Sequence, residues 1–72
     1  MFELDLLSTV ALLDDVPEKG LRRGQVGTVV EVLSPEVYEV EFSDDTGCTY
    51  ASLAIAAKQL LPLVHEPAYR AA

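Results

Sequence analysis

The chain has 72 residues, half of them hydrophobic, and a formal net charge of −7 at pH 7. A chain of this length makes one domain, and its hydrophobic share is too high for a disordered acidic tail. Cys48 is the single cysteine, which excludes a disulfide framework. The acidic balance disfavours binding to nucleic acid and to anionic membrane surfaces.

The first third of the chain predicts one strand followed by a charged loop. Residues 1–7 are short and mixed in character, and we expect them to be loosely ordered. Residues 9–13 are largely apolar and predict the first strand. Pro17 and Gly20 then mark residues 14–20 as a loop that is rich in charged side chains.

The middle of the chain predicts a β-hairpin. Residues 24–32 are rich in β-branched side chains, residues 34–36 form a turn cluster, and residues 37–42 alternate between apolar and acidic. Period two places the acidic side chains Glu39 and Glu41 on a solvent face. The opposite face of this third strand is predicted core and carries Tyr38, Val40 and Phe42.

The second strand carries valines on both of its faces. One face has Val26, Thr28, Val30 and Val32, and the other has Gly27, Val29, Glu31 and Leu33. Such a strand is expected to be central and strongly bent. Gly24 and Gly27 permit that bend or a close approach of another backbone. We expect six side chains to be mostly buried: Val30, Val32, Tyr38, Val40, Phe42 and Leu53.

The last third of the chain predicts short elements separated by turn signals. They are a turn at 44–47, a strand at 49–53, one helical turn at 54–58 and a last strand at 59–64. Gly47 fits the left-handed position that ends a hairpin turn. Pro62 places the last strand at an edge, and residues 65–72 are expected to be loosely ordered. Strands joined by tight turns at this spacing predict a small, closed, all-β domain.

Three stretches carry a resemblance to a known family: LLDDVPEKGLRRGQVGTVVEVL, YEVEF and KQLLPL, which cover most of residues 13–63. The chain resembles the DUF4926 family of short bacterial proteins of unknown function, common in cyanobacteria. Some members are described as associated with nitrile hydratase operons. The order of elements is similar to an SH3-like barrel of five short strands. The resemblance implies one SH3-like domain over residues 1–72, with a helical turn before the last strand and loose ends at 1–7 and 65–72.

The residues predict no catalytic, cofactor-binding or metal site, so we expect a protein that is not an enzyme. A metal site needs several ligands at fixed spacing, whereas His65, the one histidine, and Cys48 lie in different segments. A nucleophilic thiol needs a base and a lowered pKa, which the neighbouring Asp44 and Asp45 disfavour. Turn chemistry explains these two aspartates.

The function that we expect is a non-catalytic protein-binding or accessory module in the cytoplasm. A lone cysteine and the absence of a signal-peptide pattern favour the cytosol. The apolar runs are too short to predict a membrane-spanning helix. Size and charge suggest a partner encoded in the same operon, an enzyme or a toxin. The candidate partner-binding residues form an acidic set: Glu31, Glu39, Glu41, Asp44 and Asp45.

The alternative function is a nucleic-acid-binding module similar to the KOW motif. The stretch GQVGTVV, residues 24–30, looks like that motif of ribosomal and transcription-elongation proteins. Lys19, Arg22 and Arg23 would then contact phosphates. Three clustered cations in an acidic chain are few for such a role, so we expect no nucleic-acid partner.

Overall fold

The structure, a computed structural model, describes residues 4–64 as five antiparallel strands in one sheet. The strands are β1 (Thr9–Leu12), β2 (Val26–Ser34), β3 (Val37–Ser43), β4 (Thr49–Ala56) and β5 (Leu60–Pro62). One 3-10 turn, Pro17–Lys19, lies in the loop between β1 and β2. A second, Ala57–Gln59, leads directly into β5. The all-β class, the five strands and the helical turn before the last strand are therefore confirmed.

The strands follow the order β4-β3-β2-β1-β5 across the sheet. The first four strands pair with their neighbours in sequence, and β5 returns to pair antiparallel with β1. Within residues 4–64, β4 and β5 form the two edges and do not pair with each other, so the sheet is open where we expected a closed barrel. The position of β5 agrees with the prediction from Pro62.

One face of the sheet, the core face, carries a continuous hydrophobic cluster. Its buried members are Leu4, Val10, Leu12, Leu21, Val29, Tyr38, Val40, Phe42, Ile55 and Leu60. The three predicted side chains of β3 are at most 2% exposed, and Leu53 packs against the cluster while remaining partly exposed. Full burial of a large apolar side chain contributes roughly 1.5–3 kcal/mol, so β3 supplies much of the core.

The buried phenol of Tyr38 has partners for its hydroxyl. The backbone N–H of Leu4 donates to this oxygen at 3.2 Å, and the hydroxyl lies 3.5 Å from the carbonyl oxygen of Pro35. A buried hydroxyl without a hydrogen bond destabilises a fold. Leu4 and the turn after β2 therefore close one end of the core together.

The predicted burial of Val30 and Val32 in β2 was wrong. Val29 is fully buried, whereas Val30 is 38% exposed and Val32 is 48% exposed. The register between β2 and β3 shifts by one residue between Val29 and Glu31 and again beyond Val32. The first shift leaves Val30 without a direct cross-strand partner. Val32 lies opposite the buried Tyr38 but remains exposed itself. Because valines occupy both faces of β2, its sequence alone did not reveal which face packs against β3.

Gly27 allows β3 to pack closely against β2. A Cβ atom at this position would lie 2.7 Å from Cγ1 of Val40 and 2.9 Å from the ring of Phe42. Both distances are shorter than carbon atoms tolerate. The atoms close to Gly27 belong to side chains on the core face, and not to the backbone that the sequence analysis expected there.

The ends of several elements differ from the sequence prediction. β4 continues to Ala56, so that the expected helical turn at 54–58 is displaced to Ala57–Gln59. Alanine fits both a helix and the inside of a sheet, and pairing with β3 decides between them. The loose ends that we predicted include residues 1–3 and 65–72, which lie outside the described residues.

Two adjacent valines of β2 test the observed face assignment. We expect Val29→Ala to lower the free energy of unfolding by about 1–3 kcal/mol, because it leaves a cavity in the core. Val30→Ala removes the same atoms from an exposed position and is expected to change it by at most about 0.5 kcal/mol. Urea denaturation of both variants measures the difference. Equal losses would show that the register of β2 is not the one described.

Candidate functional site

Three glutamates from two neighbouring strands lie together on the outer face of the sheet, the face opposite the core. Glu31 of β2 is the direct cross-strand partner of Glu39 of β3. Glu41 lies two residues further along β3, about 7 Å away on the same face. The structure thus brings together three of the five predicted acidic residues, and we call Glu31, Glu39 and Glu41 the acidic face.

The neighbours of the acidic face are small and polar. Glu41 lies between Thr28 of β2 and Ser52 of β4. The hydroxyl of Ser52 donates to Oε2 of Glu39 at 2.9 Å. One carboxylate is thereby oriented along the sheet, toward β4. Like charges directly opposite each other on a sheet destabilise it, so the pairing of Glu31 with Glu39 favours a cation above this face.

Asp44 has a structural role in the turn between β3 and β4. Its Oδ1 accepts hydrogen bonds from the hydroxyl of Thr46 at 2.7 Å, from the backbone N–H of Thr46 at 2.9 Å and from that of Cys48 at 3.0 Å. Gly47 completes the turn with a φ of 86°, in the left-handed region that favours glycine. The carboxylate of Asp44 is therefore engaged by its own turn.

These hydrogen bonds lower the pKa of the Asp44 carboxyl from its ordinary value. The largest contribution comes from the Thr46 hydroxyl, followed by the N–H groups of Cys48 and Thr46. Hydrogen bonds to a carboxylate favour its charged form. Asp45, the next residue, is exposed at the tip of the turn. Both aspartates follow the end of β3, about 10 Å or more beyond Glu41 along the chain, and so lie apart from the acidic face.

The predicted basic residues lie in the long loop between β1 and β2. Lys19 ends the 3-10 turn of this loop, and Arg22 and Arg23 are exposed in the turn before β2. The loop is held through main-chain groups: the N–H of Arg22 donates to Oε1 of Gln25, and that of Arg23 donates to Oδ1 of Asp15 at 2.8 Å. Asp15 of the acidic loop thus contacts the basic turn through a main-chain amide.

Tyr50 lies close to this basic turn, which the sequence did not indicate. Nε2 of Gln25 donates to its hydroxyl at 2.9 Å, and its ring centroid lies 6.5 Å from that of Phe42. The register between β3 and β4 shifts beside it, leaving Tyr50 half-exposed. No period-two pattern identifies such a position, because an irregular residue belongs to neither face.

Residues 4–64 hold no group of three or more histidine, cysteine, aspartate or glutamate side chains arranged to bind a metal ion. Cys48 is an exposed free thiol, and His65 lies outside the described residues. No helix within the range is long and apolar enough to cross a bilayer.

The open edge of β4 is a second feature that sequence reasoning missed. β4 lies at one end of the strand order, and its eight residues, Thr49–Ala56, include no charged residue and no proline. Natural edge strands usually carry such residues, which discourage pairing with another chain. The composition of this segment was visible in the sequence, but its edge position follows only from the topology.

The turn at Asp44 makes a testable contribution to stability. Because its folded-state pKa is lowered, the Asp44 carboxylate stabilises the fold above the ordinary pKa of aspartate, and this contribution is lost as the pH falls below it. We therefore expect Asp44→Ala to be less stable than the native chain at about pH 6. When the pH is lowered to about 2.5, the native chain should lose more stability than the variant, so that the difference between them narrows. Urea midpoints at both pH values measure this.

Asp45→Ala is the matched control for that experiment, since Asp45 belongs to the same turn. We expect its urea midpoints to follow those of the native chain at both pH values. If Asp44→Ala and Asp45→Ala behave alike, the hydrogen bonds to Asp44 do not stabilise the turn.

Comparison with known proteins identifies a family for this fold. No curated protein and no solved structure matches the chain at a significant level. The family described as a domain of unknown function (DUF4926) matches residues 6–62. That match begins just ahead of β1 and ends with the last residue of β5. It includes the whole sheet, the acidic face and the basic loop, and the chain therefore belongs to the DUF4926 family.

Proposed function

We propose that this chain is a non-catalytic, cytoplasmic protein-binding module whose acidic face binds a basic surface of another protein. The observation that carries the proposal is the direct pairing of Glu31 with Glu39, with Glu41 beside them on the same face. Three carboxylates on one rigid sheet form a site for several cations at once. The proposed site does not include the other two predicted residues, since Asp44 accepts hydrogen bonds within its turn and Asp45 lies at the tip of that turn.

The electrostatics of the face support a cationic partner. A like-charged cross-strand pair lowers the stability of a sheet by up to about 1 kcal/mol. A lysine or arginine placed between Glu31 and Glu39 replaces this repulsion with two attractive interactions. The net charge of −7 acts at longer range and accelerates the encounter with a basic protein, an effect that falls as salt screens it.

The partner that we propose is encoded in the same operon and is an enzyme subunit or a toxin. The association of some family members with nitrile hydratase operons makes that enzyme one candidate. A single small sheet with an exposed charged face fits an accessory role, in which the module covers or positions a basic patch of a larger protein.

Removal of the acidic face tests this function. Glu31→Gln, Glu39→Gln and Glu41→Gln together eliminate three charges while conserving side-chain size. We expect the triple variant, used as bait in the source cell, to lose a basic protein that the native chain retains, and the captured complex to weaken as salt rises. Mass spectrometry of the retained proteins gives the readout.

A second triple variant controls for net charge. Asp14→Asn, Asp15→Asn and Glu18→Gln also remove three negative charges, but from the loop between β1 and β2. We expect this variant to retain the same partner. If both variants lose the partner equally, net charge alone governs binding and the acidic face is not the site.

The alternative, nucleic-acid binding through Lys19, Arg22 and Arg23, has one favourable observation. Tyr50 lies half-exposed beside the turn that carries both arginines, and exposed aromatic rings can stack on bases. Asp15, however, accepts a hydrogen bond from the backbone N–H of Arg23 and places a carboxylate in the same turn. We therefore keep protein binding as the proposed function.

Oligonucleotide binding separates the two functions. Three cations neutralise at most about three phosphates, which predicts a Kd near 10⁻⁴ M or weaker at physiological salt. Fluorescence anisotropy with labelled single- and double-stranded DNA and RNA should therefore detect no binding at about 0.15 M salt. Micromolar binding that is weakened by Arg22→Glu and Arg23→Glu would favour the nucleic-acid function.

A further inference from the structure

We propose that the partner binds by strand addition, pairing an extended segment with basic residues at alternate positions against the open edge of β4. This inference rests on the proposed function and specifies how the acidic face is used. The segment would run antiparallel to β4 and place its basic side chains on the outer face of the sheet. Its other side chains would be apolar and would extend the core face.

Within residues 4–64, β4 pairs only with β3, which leaves the main-chain groups on its other side for such a segment. The N–H of Ala57 donates to the carbonyl of Glu36 at 2.8 Å, one position beyond the pair Val37–Ala56. Hydrogen-bonded pairs alternate along an antiparallel ladder, so Ile55 and Leu53 direct their main-chain groups toward β3. Ser52 and Ala54, the residues between, direct theirs toward the open edge.

The side chains beside this edge fit alternate cations on the outer face. Ser52 and Ala54 are small, exposed residues, and they are the direct partners of Glu41 and Glu39. An added strand would lie two strand spacings from β3, about 9.6 Å. A lysine side chain opposite Ser52 or Ala54 can cross this distance over the small residues and reach a carboxylate. The hydrogen bond from Ser52 already turns Glu39 toward the edge.

The core face accommodates the apolar side chains of the same segment. Ala51 and Leu53 pack against the core cluster but remain partly exposed at the edge. Ile55, the next residue on this face, is buried. An added strand would cover the exposed parts of Ala51 and Leu53 with its own apolar residues. Alternation of basic and apolar residues is therefore the pattern that matches both faces.

The other edge of the sheet is a poorer template. β5 has three residues and includes Pro62, which lacks an N–H group. β4 has eight residues and no proline. A short edge with a proline is a common protection against strand addition, and only the edge of β5 carries it.

Charge favours a basic partner over a second copy of this chain. Two copies paired through β4 would bring together two molecules that each carry a net charge of −7. Their outer faces would present Glu39 and Glu41 from both sides and supply no cation to either. A basic segment instead supplies positive charges next to both glutamates.

The test uses the whole chain and three synthetic peptides. The first is a fluorescein-labelled peptide of alternating lysine and valine, eight residues long. In the second, the lysine amides are N-methylated; in the third, the valine amides are. In the proposed register only the lysine N–H groups point toward β4, because each lysine lies opposite Ser52 or Ala54 in a hydrogen-bonded pair. Both methylated peptides keep the same charge and number of methyl groups.

We expect the unmodified peptide to bind at low salt, as measured by fluorescence anisotropy. Methylation of the lysine amides should weaken binding at least about tenfold, whereas methylation of the valine amides should change it by less than about threefold. Hydrogen exchange gives a second readout: the peptide should protect the amides of Ser52 and Ala54, while that of Leu53 is already protected by β3. Glu39→Gln with Glu41→Gln should weaken binding, and Asp14→Asn with Asp15→Asn should not.

Three outcomes would overturn strand addition. If both methylated peptides bind as well as the unmodified one, the contact uses charge alone, and the proposed function survives without this mode of binding. If none of the peptides binds while the source-cell partner still depends on the acidic face, the partner is recognised in another way. If the chain runs as a dimer with Ser52 and Ala54 protected before peptide is added, a second copy occupies the edge.

Discussion

The close contact between β3 and the middle of β2 determines the geometry of the whole sheet. Gly27 leaves no atom where Val40 and Phe42 lie, so that β3 can press its largest side chains against β2. β4 is positioned in turn, because within the described residues its ladder is formed with β3. Close packing makes such an interior intolerant of added atoms. The absence of a side chain at Gly27 thus helps to determine how β2, β3 and β4 are positioned.

The same strand creates the outer face. Alternation along β3 places Tyr38, Val40 and Phe42 inside, and this leaves Glu39 and Glu41 outside. Because both sets of side chains belong to the same strand, the packing of Tyr38, Val40 and Phe42 in the core also fixes the backbone that carries Glu39 and Glu41. The binding surface that we propose is rigid because it is the reverse side of the core, and a rigid surface loses little conformational entropy when it binds.

The sequence predicted those parts of the fold in which polarity alternates. β3 alternates without exception, so its two faces were predicted correctly, and proline and glycine marked the turns. β2 carries valines on both sides, so its inner face depends on the register with β3, which a single strand does not reveal. The separation of Asp44 from the acidic face depends on hydrogen bonds within a turn. The open edge of β4 depends on the order of strands, a property of the assembled sheet.

The return of β5 to β1 has a consequence for how the molecule opens. β5 pairs with β1 through three residue pairs, one of which joins Val10 to Pro62, whereas the other strands pair with neighbours in sequence. β5 is short, and its partner β1 is distant from it in sequence. Elements of this kind detach at a lower free-energy cost than strands at the centre of a sheet. Detachment of β5 would expose Leu12 and Leu60, which are each 2% exposed in the structure. We therefore expect the margin beside β1 to open more readily than the β2–β3–β4 meander.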